Sequence, residues 1–200
     1  MTQYLTFILP VYIVIYFLLL LVIPAVIVRK KIGKSPVVLS ASDDAHGLIA
    51  KYFGAWMILA SIYIILYVVH PASYTCFLPM SYLGSDALVI SGLIVMIVSL
   101  LWTSAAQINM QASWRVGIDE KQKTELVSTG IFHFSRNPIY LGMIVSVVGL
   151  FLVTPNAFTM MLVVLGYVLI QIQVRLEEEF LYKMHGQTYL EYKNSVRRFI

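Results

Sequence analysis

The stretch IYLGMIVSVVGLFLV-TPN-AFTMMLVVLGYVLIQIQV, residues 139–174, decides the fold of this chain. Two uncharged apolar arms flank Thr154-Pro155-Asn156, a tripeptide that signals a turn. The first arm has only about 15 residues, roughly 22 Å of helix at 1.5 Å per residue, against a hydrocarbon core of roughly 30 Å. It must tilt, thin the bilayer, or begin inside protein. The two arms are therefore expected to form a short helical hairpin packed on other helices. Gly142, Ser146 and Gly149 in one arm and Gly166 in the other allow close helix approach.

Upstream lie three longer apolar runs, residues 4–28, 48–69 and 87–106, each enough for the roughly 20 residues a crossing needs. Pro10 and Pro24 stand near the ends of the first, where helices tolerate proline best. This run lacks the basic lead and the short length of a signal peptide, so it is expected to be a retained helix. Lys51 is close enough to the start of the second run to snorkel. Ser85-Asp86 opens the third as a helix start. With 60% hydrophobic and 12% charged residues, the chain departs from the roughly 25% charged content of soluble domains. The expected fold is an all-α membrane protein of one domain, residues 1–200, with five transmembrane helices, the last two a short hairpin, and a C-terminal helical tail.

Every Lys and Arg falls in 29–51 or from 115 onward. By the positive-inside rule the loops 29–51 and 115–136 and the tail from residue 175 face the cytoplasm, and the N-terminus faces outside. The net charge of +4 is split among these segments, which suits orientation and anionic-lipid contact better than nucleic-acid binding. Arg29-Lys30-Lys31 reads as a stop-transfer anchor. The lone Cys76 rules out an intrachain disulfide and is expected to be a buried, inert side chain. His46, His70, His133 and His185 lack ligand spacing, so no metal is assigned. Trp102 and Trp114 are expected at the membrane interface.

Polar residues flank the hairpin on both sides. Before it stands Arg136-Asn137-Pro138-Ile139-Tyr140-Leu141-Gly142, and after it Arg175-Leu176-Glu177-Glu178-Glu179. A chain that folds back on itself brings these clusters together. Pro138 suits the first turn of a helix, while Arg136 also reads simply as the end of a span. A run such as Glu177 to Glu179 also reads as a solvated helix face, and Glu179 is expected to be one. Tyr189 and Tyr192 fall on one helical face and are expected to pack the tail onto the domain.

The order Gln111-Ala-Ser-Trp-Arg-Val-Gly-Ile-Asp, then Leu126-Val127-Ser128-Thr129-Gly130-Ile131-Phe132, Ser135 to Tyr140, Glu177-Glu178-Glu179-Phe180-Leu181 and finally Val196-Arg197-Arg198 resembles the isoprenylcysteine carboxyl methyltransferase and phospholipid methyltransferase superfamily of integral-membrane enzymes. The resemblance covers residues 111–200 and divides the chain into a three-helix membrane part, 1–106, and a catalytic part, 107–200. It implies a cytoplasmic pocket for S-adenosylmethionine and a lipid or prenyl-like substrate entering from the bilayer. Carried over, the cofactor contacts are Val127, Gly130, Phe132, Asn137, Tyr140, Glu177 and Glu178, with Arg136, Arg175 and Glu178 as catalytic candidates. Asn137 stands where the family often has histidine, and Gln173 where its prenylcysteine members tend to have arginine. The resemblance therefore points more firmly to the cofactor than to a prenylcysteine carboxylate as acceptor.

Methyl transfer from a sulfonium needs in-line alignment, and positioning alone supplies up to roughly 7–11 kcal/mol. Arg136 or Arg175 suits the cofactor's carboxylate, and Glu177 or Glu178 its ammonium or ribose hydroxyls. A carboxylate acceptor needs no base, whereas a lipid amine does, and Glu178 is the residue proposed for that role. The readings that stay open are an isoprenylcysteine-like O-methyltransferase, a phospholipid N-methyltransferase, a small-thiol S-methyltransferase, a sterol-reductase-like NADPH enzyme with a similar Arg-x-Pro-x-Tyr-x-Gly segment, and a non-enzymatic lipid-binding membrane protein. The three acids after the hairpin favour a cationic cofactor over a phosphorylated one.

Overall fold

A computed structural model describes residues 2–33, 45–110, 113–114 and 125–200. The expected loop segments 34–44 and 115–124, and Gln111 and Ala112 of the resemblance, lie outside the described residues. Among the described residues, seven α-helices carry the fold: α1 (Thr2–Phe17), α2 (Ile23–Ile32), α3 (Ala45–Val69), α4 (Asp86–Met110), α5 (Pro138–Val153), α6 (Ala157–His185) and α7 (Gln187–Ser195). Among the described residues there is no strand beyond a single bridge between Pro79 and Asn156.

The first apolar run is not one uniform helix, because a π-helical turn, Leu18–Val22, joins α1 to α2. Pro24 has no N–H to give to the carbonyl four residues back, Leu20. The ladder widens by one residue, so that the Ile23 N–H donates to Leu18 O. Among the described residues, four helical segments are long and apolar enough to cross a membrane: Tyr4–Lys31, Ala45–Val69, Asp86–Met110 and Ala157–His185. The fifth apolar helix, Pro138–Val153, is shorter, as the length of its arm predicts.

The hairpin differs from expectation in its second arm. Helix α6 does not stop at Val174 but continues through the acidic cluster for 29 residues, about 44 Å at 1.5 Å per residue. Nothing between Arg175 and His185 breaks it, since Glu, Leu, Lys and Met all favour helix. The turn before it is buried rather than solvated. Thr154 and Asn156 are almost fully covered, and Asn156 closes a capping box with Thr159 while its Nδ2 donates to the Tyr63 hydroxyl at 2.8 Å.

Helix α5 lies along α4. A Cβ on Gly142 would collide with Thr103 Oγ1, and one on Gly149 would meet Met96 Cγ at 2.6 Å. Gly166 of α6 instead receives Trp56 of α3, whose indole N–H donates to Leu162 O at 2.8 Å. The small residues thus dock the hairpin onto α4 and α3. Two expectations are corrected: Cys76 is exposed in a short 3₁₀ turn, and Trp114 is buried, packed inside protein rather than placed at an interface.

Candidate functional site

Helix α5 starts at Pro138 without a side-chain cap from Asn137. Its missing N–H costs nothing at that position, and its carbonyl accepts from the Trp102 indole at 2.9 Å. Asn137 is free to point elsewhere. Its Nδ2 donates to Arg198 O at 3.1 Å. The Arg136 backbone N–H donates to Arg197 O at 3.0 Å, and its guanidinium Nη1 donates to the carbonyls of Lys193 and Val196. The C-terminal tail is thereby laid across the start of α5.

Glu178 is the centre of this arrangement. Its Oε1 accepts from Arg136 Nη2 at 3.0 Å and Arg198 Nε at 2.9 Å, and its Oε2 from Arg198 Nη2 at 2.8 Å. The Arg198 fork is bidentate, the geometry a planar guanidinium favours. Arg136 and Glu178 are both buried, with side chains 8% and 7% exposed. The carboxylate holds the Arg198 guanidinium above its ordinary range. Glu178 and Arg136 are therefore brought together, with Arg198 as a partner that the sequence reading did not assign. Its signal was the Val196-Arg197-Arg198 end of the resemblance, which specifies no partner.

The other expected residues divide. Tyr140 lies close to Glu177 and Gln173 on α6, so Gln173, noted as a departure, stands beside two of the expected residues. Phe132 is buried in a short turn, Gly130–His133, and its carbonyl accepts from the Tyr192 hydroxyl at 2.7 Å. Gly130, at φ +62°, carries the Asn109 amide where a Cβ would be, so only glycine fits there. Val127 is half-buried, next to Leu126, which packs on the buried group Tyr189, Tyr192 and Val196. Arg175 is not brought in. It is exposed, and its guanidinium donates within its own helix to Gln171 O and Oε1, both at 2.7 Å. Glu179 is exposed and pairs with Lys183, the solvated face expected of it.

Tyr189 was missed as a site residue. It is 1% exposed and sits in the field of Glu178, Arg136 and Glu177. Burial pushes its hydroxyl well above the usual tyrosine range and that of Tyr192 up to about 12, so both are neutral donors near pH 7. The Tyr192 hydroxyl has its acceptor. The Tyr189 hydroxyl and Arg136 Nε are buried with no partner among the described residues. Buried polar groups are usually paired, and these two donors near acidic side chains are exceptions.

Residues 87–188 match the family model described as phospholipid methyltransferase. The match runs from the first turn of α4 through α5 and α6. No curated protein matches the chain significantly.

Proposed function

The chain belongs to the phospholipid methyltransferase family, and from that premise we propose that it transfers a methyl group from S-adenosylmethionine to a lipid-like acceptor at the membrane surface. The observation that carries this reading is the pair of buried, unpartnered donors, Arg136 Nε and the Tyr189 hydroxyl, beside Glu177. The residues fit the cofactor. Two donors suit its carboxylate, and Glu177, half-buried next to Tyr140, suits its ammonium or ribose hydroxyls. Val127, Gly130 and Phe132 would line the adenine side, and Asn137 would hold the tail that closes the site.

The cofactor supplies an electrophilic methyl group on a sulfonium. The protein's part is alignment and exclusion of water, the terms that contribute most when reactants are held in place. Glu178 acts as a positioning residue that fixes Arg136, and Tyr140 lies close to Glu177. We also place the site and the C-terminus on the cytoplasmic side, the N-terminus outside, and α5 as a fifth, shortened crossing, because Arg29, Lys30 and Lys31 end the first span and the rule for basic residues then sets the rest. The acceptor class, whether carboxylate, amine or thiol, is read by transfer of labelled methyl into lipid, prenylcysteine and small-thiol fractions.

Tyr189→Phe tests the binding reading. Removing a buried hydroxyl that has no protein partner should leave the melting temperature without ligand unchanged or slightly higher. If the hydroxyl holds the cofactor, affinity for S-adenosylmethionine should fall about tenfold, close to 1.4 kcal/mol. Unchanged affinity in the variant, or a wild-type melting temperature that saturating S-adenosylmethionine does not raise, would refute it.

A further inference from the structure

Gln107, on the last turns of α4, is 8% exposed. Its Nε2 donates to Leu20 O at 2.7 Å, the carbonyl whose usual donor four residues on is Pro24, which has no N–H. One end of the amide is thus explained by the first span. The other is not, because Oε1 is buried with no partner among the described residues.

Ser104 lies three residues earlier, on the same side of the helix. Hydroxyls in this helix usually bond the carbonyl one turn back, as Ser91 Oγ does to Ala87 O and Thr103 Oγ1 to Ser99 O, each at 2.8 Å. Ser104 Oγ does not, and it too is buried without a partner. Its neighbours Leu101 and Ile108, 64% and 74% exposed, form the lipid-facing surface of α4. Two buried oxygens without a partner among the described residues, three positions apart on α4, thus lie between this surface and the seam with the π turn. They stand at the end of α4 where Asn109 covers Gly130, next to the loop assigned to the cofactor.

We propose that Gln107 Oε1 and Ser104 Oγ form a head-group subsite for a bilayer lipid whose head carries an N–H or O–H donor, and that the methyl acceptor docks there. The first half stands on the orphan oxygens alone, and the second rests on the methyltransferase reading. An amide oxygen can only accept, so a trimethylammonium head or a carboxylate gives it nothing. A site built to bond a donor rejects the analogue that lacks it.

The test uses the full chain, purified in detergent and mixed with equimolar phospholipids of identical acyl chains bearing ethanolamine, glycerol or choline heads. Retained lipid is measured by native mass spectrometry. The wild type should keep the ethanolamine or the glycerol lipid over the choline lipid by about tenfold, the better of the two showing whether N–H or O–H is read. Gln107→Leu should abolish the preference. Because that variant also strips Leu20 O of its donor, it is repeated in a Pro24→Ala background, where a backbone N–H is restored for that carbonyl. There the preference should vanish with the melting temperature unchanged from Pro24→Ala alone. Equal retention of all three lipids by the wild type, or a preference that survives Gln107→Leu in either background, overturns the proposal. A Gln107-dependent preference without methyl label in lipid would keep the subsite and overturn its assignment to the acceptor. Labelled lipid without that preference would overturn the subsite and leave the methyltransferase reading standing.

Discussion

Arg198→Ala should loosen the C-terminal tail without disturbing the helices beneath it. The substitution removes two charge-assisted bonds to Glu178, at 2.9 and 2.8 Å. Bonds to charged groups contribute about 1.5–3 kcal/mol each, but the Arg198 side chain is 32% exposed, and Oε1 keeps its bond from Arg136. Solvent screening lowers the net loss to about 1–2 kcal/mol, which raises the population with the tail open by roughly 5–30-fold. The Arg136 amide reports this opening, because its acceptor is Arg197 O in the tail. Its hydrogen exchange should speed up by that factor where exchange follows the opening equilibrium. The Leu141 amide, bonded to Asn137 O at 3.0 Å within the start of α5, should exchange as in the wild type. Arg198→Lys, which keeps the charge but not the fork, should fall between the two. An Arg136 amide whose exchange stays within about twofold of wild type in Arg198→Ala would show that the Glu178 clamp does not hold the tail.

Glu178→Ala should be far more damaging, at about 3–5 kcal/mol, because it leaves the buried Arg136 without its counter-charge; the check is folded yield and melting temperature against Arg198→Ala, and equal losses would contradict it. Arg175→Ala should leave S-adenosylmethionine affinity and methyl transfer within about twofold of wild type, since this exposed side chain bonds only Gln171; equilibrium binding and label transfer decide it. Gly142→Val should cost about 1–3 kcal/mol by driving a side chain into Thr103, and Thr103→Ala should recover part of the melting temperature; no recovery would place the damage elsewhere.

Apolar run lengths and Thr154-Pro155-Asn156 made the helix order readable, because crossing a bilayer demands length and turns demand particular residues. What periodicity could not supply was the position where α6 ends. Arg175 to Glu179 changes polarity without changing helix propensity, so the chemistry of the membrane boundary leaves no mark on the backbone. The small residues of the hairpin signalled close packing, but spacing alone does not say that Gly142 meets Thr103 of α4 and Gly166 meets Trp56 of α3. In the site, Arg136 and Glu178 were legible as polar residues at matching ends of the hairpin. Arg198 and Tyr189 were not, since their neighbours Glu178 and Glu177 lie on another helix, 11 to 20 residues away, and their meeting depends on how the tail folds back. Gln107 was invisible for a related reason. Its bond joins it to Leu20 O, 87 residues earlier in the sequence.

The engagement of Glu178 bears on the chemistry. Both of its oxygens already accept from guanidinium donors, so taking a proton from an acceptor there would mean breaking the clamp that lays the tail across the site. A residue cannot serve as a free base and as the post that holds the lid in the same closed state. Glu177 is placed differently, close to Tyr140 of α5. If the acceptor is an amine, Glu177 through Tyr140 is the better-placed route for its proton. If it is a carboxylate, no base is needed, and the site works by alignment alone. The division of labour between adjacent glutamates follows from their 100° separation on one helix: one meets the tail's arginine and the other lies near Tyr140.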